Sequence, residues 1–216
     1  MSQIFSRRFG TLAKFTLLGA LTGLVGIVAL WRMQTGEPHD QDEAVEQPVP
    51  FSHKHHVGDV GLDCRYCHAS VETSASAGIP PISTCMTCHS QLFTDQPVLR
   101  PVVQSWQSGI PLHWQRVYAL PQFVYFDHSI HIAKGMGCVT CHGQLDQMPL
   151  TARKASLSMQ WCLDCHRAPA KNLRPPEAIF SMTWQPAEDR EVLGRRLLAE
   201  YKIDTRRLTD CSVCHR

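Results

Sequence analysis

The sequence predicts a mainly helical and irregular domain, with little or no β-sheet, that follows one N-terminal transmembrane helix. Residues 15–31 (FTLLGALTGLVGIVALW) carry no charge, and ten cysteines stand after them in short, closely spaced pairs. The 216 residues carry 21 Lys and Arg against 19 Asp and Glu, which gives a net charge of +2. A charge this small, without a long basic run, argues against binding to nucleic acid.

Each cysteine pair has the spacing C-x-x-C, and a histidine follows it every time. The five sites are Cys64, Cys67 and His68; Cys85, Cys88 and His89; Cys138, Cys141 and His142; Cys162, Cys165 and His166; and Cys211, Cys214 and His215. A zinc ribbon, a thioredoxin-like site or a set of disulfides does not need the histidine. Haem c does, because two thiols form thioethers with its vinyl groups and the histidine becomes the proximal iron ligand. The sequence therefore predicts five covalently bound haems c, held on short helices joined by irregular loops. With few long apolar runs in the chain, the macrocycles must supply much of the core.

The N-terminal 50 residues are predicted to form a membrane anchor and a linker. The predicted divisions are a cytoplasmic N-terminus (1–14), a transmembrane helix (15–32) and an exposed, acidic, Pro-rich linker (33–50). Basic side chains precede the apolar run and acidic ones follow it, so the positive-inside rule puts the haem domain on the periplasmic side of a bacterial inner membrane. A cleaved signal peptide is the alternative, but Trp31 and Arg32 end the run without a small-x-small cleavage site.

The rest of the chain contains an internal repeat. Each unit begins with F-x-H-x-x-H and then supplies two haem attachment sites at similar spacing, which indicates the duplication of a two-haem module. The predicted divisions are a first repeat with its connecting segment (51–125), a second repeat (126–185), and a C-terminal helix with the fifth haem site (186–216).

The repeated histidines are the candidate distal ligands. A haem that only transfers electrons has both axial positions filled. Histidines at i and i+3 lie on one side of a helical turn, from which they can reach two neighbouring haems. Four bis-histidine haems are therefore predicted, and their distal ligands are His53, His56, His128 and His131. His55 is the alternative to His53 or His56.

The sixth ligand of the fifth haem is open at this stage. Met148 is the first candidate, since an axial thioether would raise the potential of that haem above the potentials of its bis-histidine neighbours. The other candidates are Met159, His113 and Met182, and an open iron is the remaining alternative.

Two segments outside the haem motifs are expected to pack around the haems. Residues 90–125 are rich in Pro, Trp and Tyr, and their aromatic side chains are expected to line haem faces. Residues 186–203 predict one helix with acidic residues in its first turn. Its apolar stripe is expected to face the haem domain and consists of Val192, Leu193, Leu197, Leu198 and Tyr201.

The two histidine motifs and the haem sites together resemble class III multihaem cytochromes c. The match extends to the anchor, FSHKHHVGDVGLDCRYCH, RVYALPQFVYFDHSIHIAKGMGCVTCHGQLDQMPL and MQWCLDCHR, which are similar to the pentahaem cytochrome c subunit of bacterial alternative complex III. This resemblance implies a subunit of a membrane-bound quinol:electron-acceptor oxidoreductase of the respiratory chain. The implied partners are an iron–sulfur/molybdopterin-like subunit, polytopic quinol-binding subunits and a monohaem cytochrome c. In that family the haems form a wire from quinol oxidation to a periplasmic cytochrome c, a high-potential iron–sulfur protein or a terminal oxidase.

The chain offers no nucleophile, carboxylate pair or phosphate loop, so an electron conduit without a catalytic site of its own is expected. A stand-alone, membrane-anchored quinol dehydrogenase of the small multihaem type is the first alternative, and it would need a quinol site on this chain. A catalytic multihaem reductase is the second, and it would need a high-spin haem with a vacant position.

Overall fold

The computed structural model describes residues 6–35 and 41–215. The chain divides into two compact units, Met1–His39 and Asp40–Arg216. Parts of the predicted cytoplasmic N-terminus and of the predicted linker, as well as Arg216, lie outside the described residues.

The described part of the first unit contains one long helix, α1 (Arg7–Thr35), which extends beyond the predicted 15–32 at both ends. An 18-residue window within Arg8–Arg32 has a mean hydropathy of 1.9, and none of that window is buried. The hydroxyls of Thr16 and Thr22 donate to carbonyls one turn earlier at 3.0 Å, so these polar groups are satisfied within the helix. By length and composition α1 is able to cross a membrane, although a signal sequence has the same properties.

The second unit consists of short helices and irregular loops, and its described residues contain isolated bridges but no strand of a sheet. The α-helices are α2 (Cys64–Cys67), α3 (Ile82–His89), α4 (Arg100–Ser108), α5 (His128–Ala133), α6 (Cys138–His142), α7 (Met159–Arg167), α8 (Arg190–Glu200) and α9 (Cys211–Cys214). A π-helical turn spans Lys54–Asp59, and 3-10 turns span Pro97–Leu99, Leu145–Gln147, Pro169–Asn172 and Pro176–Ala178. The predicted helical and irregular fold class is confirmed.

Every cysteine pair lies in a helix: α2, α3, α6, α7 or α9. One helical turn brings the residues at i and i+3 to the same side, so both thiols of a pair face one way. Polar caps start two of these helices, since the Asp63 carboxylate accepts from Arg65 N at 2.8 Å and the Ser158 hydroxyl accepts from Trp161 N at 3.2 Å. Local side-chain caps therefore help to define the start of two of the five attachment helices.

Two small apolar clusters connect the helices. The first contains Val49, Leu99 and Val102, and the second contains Leu173, Leu193 and Leu197. These clusters are small for a unit of this size, as expected of a fold in which bound macrocycles supply much of the core.

Residues 41–50 of the predicted linker belong to the second unit. Gln47 and Gln115 exchange two hydrogen bonds of 2.9 Å, and Asp42 N donates to the carbonyl of Arg153 at 2.8 Å. Val49 is buried in the first apolar cluster. This part of the acidic segment is thus attached to the fold, while most of its side chains are exposed.

The C-terminal helix is shorter than the predicted 186–203, because α8 spans Arg190–Glu200. It starts where the Asp189 carboxylate accepts from the amides of Glu191 and Val192 at 2.9 and 3.1 Å, and it ends before Lys202, whose φ is +51°. Leu193 and Leu197 are buried. Val192 is about half exposed, so its assignment to the buried stripe is wrong: it precedes Leu193 by one position and therefore points away from the second cluster.

Candidate haem sites

The predicted distal histidines face predicted proximal histidines. Ring centres are 6.2 Å apart for His56 and His89, 6.4 Å for His128 and His142, and 6.2 Å for His131 and His166. Since a metal–imidazole nitrogen bond is about 2 Å long and a ring nitrogen lies about 1 Å from its ring centre, one metal between two imidazoles separates the ring centres by about 6 Å. The three pairs therefore fit one haem iron each.

The fourth candidate pair is His53 and His68, whose imidazoles are electrostatic neighbours. Burial lowers the pKa of His53 to about 4, and the next largest cause is the nearby imidazole of His68. In each repeat the first histidine of F-x-H-x-x-H thus lies near the first attachment site, and the second histidine faces the second site. His55 is exposed, with Nδ1 3.5 Å from the Asp59 carboxylate, so the geometry favours His53 and His56 over His55.

A phenylalanine fixes the two distal rings of each repeat. Phe51 stacks on His56 with ring centres 4.4 Å apart and meets His53 edge-on at 5.0 Å. In the second repeat Phe126 stacks on His131 at 4.4 Å and meets His128 edge-on at 4.8 Å. The sequence showed these phenylalanines only as markers of the repeat, and their packing role needed the structure.

Backbone carbonyls orient most of the candidate ligands. Nδ1 of seven of these histidines lies 2.7–3.2 Å from a carbonyl oxygen. The histidines and their carbonyl partners are His56 and Ser52, His68 and Gly78, His89 and Leu92, His128 and Ala75, His131 and Asp127, His166 and Leu208, and His215 and Phe123. Because a carbonyl only accepts, Nδ1 carries the proton and Nε2 keeps its lone pair for a metal.

The two repeats orient each other's first histidine. Nδ1 of His53 lies 2.8 Å from the Thr151 hydroxyl in the second repeat. Nδ1 of His128 donates to the Ala75 carbonyl in the first repeat at 2.9 Å. The first and third sites are thus built jointly by both halves of the domain.

Burial keeps several of the imidazoles neutral. It is the largest cause that lowers the pKa of His142 to about 4 and that also lowers the pKa values of His56 and His131. A neutral imidazole is the form that binds a metal.

The attachment sites lie beside one another in one order. The thiols of Cys64 and Cys138 are close neighbours, and their interaction lowers the pKa of Cys64 to about 7 and raises that of Cys138. Electrostatic neighbours among the remaining thiols are Cys67 and Cys85, Cys141 and Cys165, and Cys162 and Cys214. These neighbours arrange the sites, numbered along the chain, as second, first, third, fourth and fifth.

Aromatic residues contact the fifth and the third attachment sites. The His215 ring stacks on Phe123 with ring centres 5.9 Å apart, and Tyr125 N donates to the Cys214 carbonyl at 2.8 Å. Tyr118 similarly packs on His142 at 4.5 Å and donates to the Cys141 carbonyl at 3.1 Å. Aromatic residues of the segment 90–125 therefore contact candidate ligands.

The candidates for the sixth ligand at the fifth site are spread over the domain. Met148 is buried, and its carbonyl accepts from Lys54 N at 2.9 Å, next to the first distal histidine. Met159 is 68% exposed and starts α7, the helix that carries the neighbouring thiol of Cys162. Met182 is buried and His113 is exposed. Met148 as this ligand stays a prediction.

Other uses of these residues fit the structure less well. In the described part of the chain no group of three or more His, Cys, Asp or Glu side chains is arranged to hold a bare metal ion. None of the ten cysteines, all of which lie in the described ranges, forms a disulfide. The paired thiols with a following histidine, set opposite a second imidazole, suit haem c.

Two segments match models of known families. Residues 124–216 match cytochrome c7 and related cytochromes c, and residues 31–106 match the class III cytochrome c family. The chain is also 38% identical over 98 residues to the menaquinone reductase multihaem cytochrome c subunit of Nitratidesulfovibrio vulgaris, strain Hildenborough, which covers 45% of this chain. The match spans 46% of that relative, so the two chains correspond over about half their lengths. The two matched segments are thus similar to multihaem cytochromes c of the class III and cytochrome c7 type, in agreement with the paired imidazoles.

Proposed function

We propose that this chain is a membrane-anchored pentahaem cytochrome c that relays electrons within a quinol:electron-acceptor oxidoreductase of the alternative complex III type. The electrons would come from quinol oxidation and leave to a periplasmic cytochrome c or a terminal oxidase. The observation that carries the proposal is the set of three facing imidazole pairs, with ring centres 6.2–6.4 Å apart, at attachment sites whose thiols neighbour one another from site to site.

The chain's own residues hold and shield the cofactors in this proposal. Haem c supplies a one-electron couple between ferric and ferrous iron when it is bound. The ten cysteines attach the five haems, and the five histidines that follow them are the proximal ligands. His53, His56, His128 and His131 fill the opposite positions of four sites. Filled positions exclude small ligands and favour electron transfer over catalysis at the iron.

The ends of the line are suited to contact with partners. Cys88 at the second site and Cys211 at the fifth site are exposed, whereas the other eight cysteines are half-buried. Electrons would therefore enter and leave at these two sites, while the first, third and fourth sites lie inside the line.

The setting we propose is the bacterial inner membrane, with α1 in the lipid and the haem domain on the periplasmic side. The partners would be an iron–sulfur/molybdopterin-like subunit, polytopic quinol-binding subunits and a monohaem cytochrome c. The similarity to the cytochrome subunit of a menaquinone reductase supports the proposal that this chain transfers electrons within a complex that reacts with a quinone.

The same similarity favours one second candidate, in which electrons run in the opposite direction. The relative is named a menaquinone reductase, so a line of sites that delivers electrons to the quinone is the rival to quinol oxidation. The line of sites is compatible with both directions, and the subunits at its two ends would decide between them.

Extraction from native membranes in mild detergent tests both candidates. The protein would be run on a native gel, stained for haem, and its co-migrating chains identified by mass spectrometry. We expect a large complex with iron–sulfur and polytopic subunits, whose haems are reduced by menaquinol and reoxidised by ferricytochrome c. Oxidation of the haems by menaquinone, without reduction by menaquinol, would support the reductase. A small lone species that oxidises quinol would support the stand-alone dehydrogenase and contradict the proposal.

A further inference from the structure

The segment 173–181 packs against the residues that lead into the third attachment site. Arg174 N donates to the Gly135 carbonyl at 2.8 Å, and Cys138 N donates to the Ile179 carbonyl at 3.2 Å. Two main-chain hydrogen bonds thus hold this segment against the residues that lead into α6. Arg174 is the residue that makes the first of these bonds.

Arg174 is a buried cation without an anionic partner. It is 8% exposed, and its Nη1 donates to the carbonyls of Ala178 and Ser181 at 3.1 and 2.7 Å. Its Nε is buried without a hydrogen-bond partner. No carboxylate in the described ranges forms an ion pair with it. A buried charge is ordinarily paired with an opposite charge. The unpaired guanidinium of Arg174 therefore suggests a function for its positive charge at this position.

The guanidinium lies directly against the third site. A methyl group placed at Gly137 would be 2.6 Å from both Cδ and Nε of Arg174, and Gly137 precedes Cys138. The Cys138 sulfur is also among the electrostatic neighbours of this guanidinium.

A second cation lies close by. The guanidinium groups of Arg174 and Arg190 are 5.2 and 5.3 Å from the centre of the Trp184 ring. Nε of Arg190 donates to the Lys171 carbonyl at 2.8 Å, while its Nη1 is buried without a partner. The π-system of Trp184 partly compensates two like charges that have no ion-pair partner in this part of the structure.

We propose that Arg174 raises the reduction potential of the haem at Cys138 and Cys141, with Arg190 as a weaker contributor. This inference rests on the proposed attachment of haem at that site. Reduction adds one electron to ferric iron and gives ferrous iron, with no bond made or broken at the protein. A nearby fixed positive charge stabilises the state with the extra electron, and burial reduces the screening of that charge by solvent and salt. Arg174 therefore sets the potential of the site in the middle of the line.

Potentiometric titration of the full-length protein, purified in detergent, tests this inference. Mass spectrometry of peptides first checks that haem is bound at Cys138 and Cys141, and a bare third site there would overturn the proposed function itself. With five haems bound, Arg174→Gln is expected to lower the midpoint potential of one haem, by about a tenfold loss in its equilibrium constant for reduction. The shifted haem should be the one that loses its low-spin signal in His128→Ala.

Conservative and matched variants separate charge from packing. Arg174→Lys keeps a cation and should retain most of the wild-type potential. Arg195→Gln removes an exposed charge from α8 and should change no midpoint. Arg190→Gln should lower the same midpoint less than Arg174→Gln does, and it remains informative if Arg174→Gln does not mature. The inference would be overturned if the midpoints stayed unchanged in Arg174→Gln and Arg190→Gln, or in whichever of the two matures. An equal shift in Arg195→Gln would also overturn it. Either result would leave the proposed function in place.

Discussion

At each oriented site, a carbonyl fixes one ring nitrogen of a histidine and leaves the other free for iron. His131 shows the whole arrangement: Nδ1 donates to the Asp127 carbonyl at 2.7 Å, Phe126 stacks on the ring, and His166 faces it at 6.2 Å. Contacts that hold an imidazole ring in place also set the orientation of its plane relative to the iron. The orientation of the ligands is one of the means by which a protein tunes the reduction potential of a haem.

His131→Ala removes one of the proposed distal ligands. We expect one of the low-spin haems to become high-spin, because its iron loses a strong axial ligand. Electron paramagnetic resonance of the oxidised protein measures this change. His55→Ala, from the first repeat, is the control and should leave the spectrum unchanged, while the neighbouring His56→Ala should again convert one haem. A high-spin haem in His55→Ala would refute the assigned pairs.

Phe126→Leu removes the ring that packs on both distal histidines of the second repeat. An aromatic pair is worth roughly 0.5–1.5 kcal/mol beyond its buried area, so the free energy of unfolding should fall by about 1 kcal/mol or more. Thermal unfolding followed by haem absorbance measures this loss. Phe126→Tyr keeps the ring and should retain nearly all of the stability; equal losses in both variants would show that stacking is not the cause.

The sequence was sufficient to select the candidate ligands but not their partners. A histidine after each cysteine pair and the repeated F-x-H-x-x-H are local patterns, so His53 and His131 stand out without a structure. The contacts of Phe123 with His215 and of Thr151 with His53 join residues 92 and 98 positions apart. No periodic pattern indicates such pairs, because they depend on how the repeats fold against each other.

At the scale of elements, the domain is built from short helices that are stable only in context. Isolated helices of one or two turns are not stable in water, so α2, α6 and α9 depend on their surroundings. The helix α8 is the longest of those described in this domain, and it packs its buried Leu193 and Leu197 on the 3-10 turn Pro169–Asn172 and the second apolar cluster.

Gly194→Ala tests the contact between α8 and that turn. Alanine is a better helix former than glycine by about 1 kcal/mol, so a free helix would be stabilised. A methyl group at Gly194 would however collide with the Ala170 carbonyl, and we expect the thermal midpoint to fall. Arg195→Ala, the next and exposed position, is the control and should change it little. A higher midpoint in Gly194→Ala would disprove the close packing of α8.

Element boundaries are harder to predict from this sequence than element types. The pattern of residues predicts α8 over 186–203, but the Asp189 cap starts the helix later. The acidic composition predicts an exposed linker, yet Val49 enters the first apolar cluster and Gln47 pairs with Gln115. Composition reports the polarity of such a segment, whereas its docking depends on partners that are distant in the sequence.

At the scale of the molecule, two interlocked repeats and a fifth site place each attachment site next to another one. Each repeat orients the first distal histidine of the other, through Thr151 and the Ala75 carbonyl. The order of the sites in space differs from their order in the sequence for this reason: the first and third sites meet in the middle, where the Cys64 and Cys138 thiols are adjacent. The attachment motifs and the helical fold class are readable in the sequence, but this order is not.

The positions of the five irons test the central claim most directly. A cryo-electron microscopy map of the complex from native membranes, resolved well enough to place each haem, would measure them. We predict one unbranched row in the order second, first, third, fourth and fifth site, with the Cys138–Cys141 haem in the middle and the Cys88 and Cys211 ends against partner subunits. A branched or interrupted arrangement, or fewer than five haems on the chain, would contradict the proposed electron line.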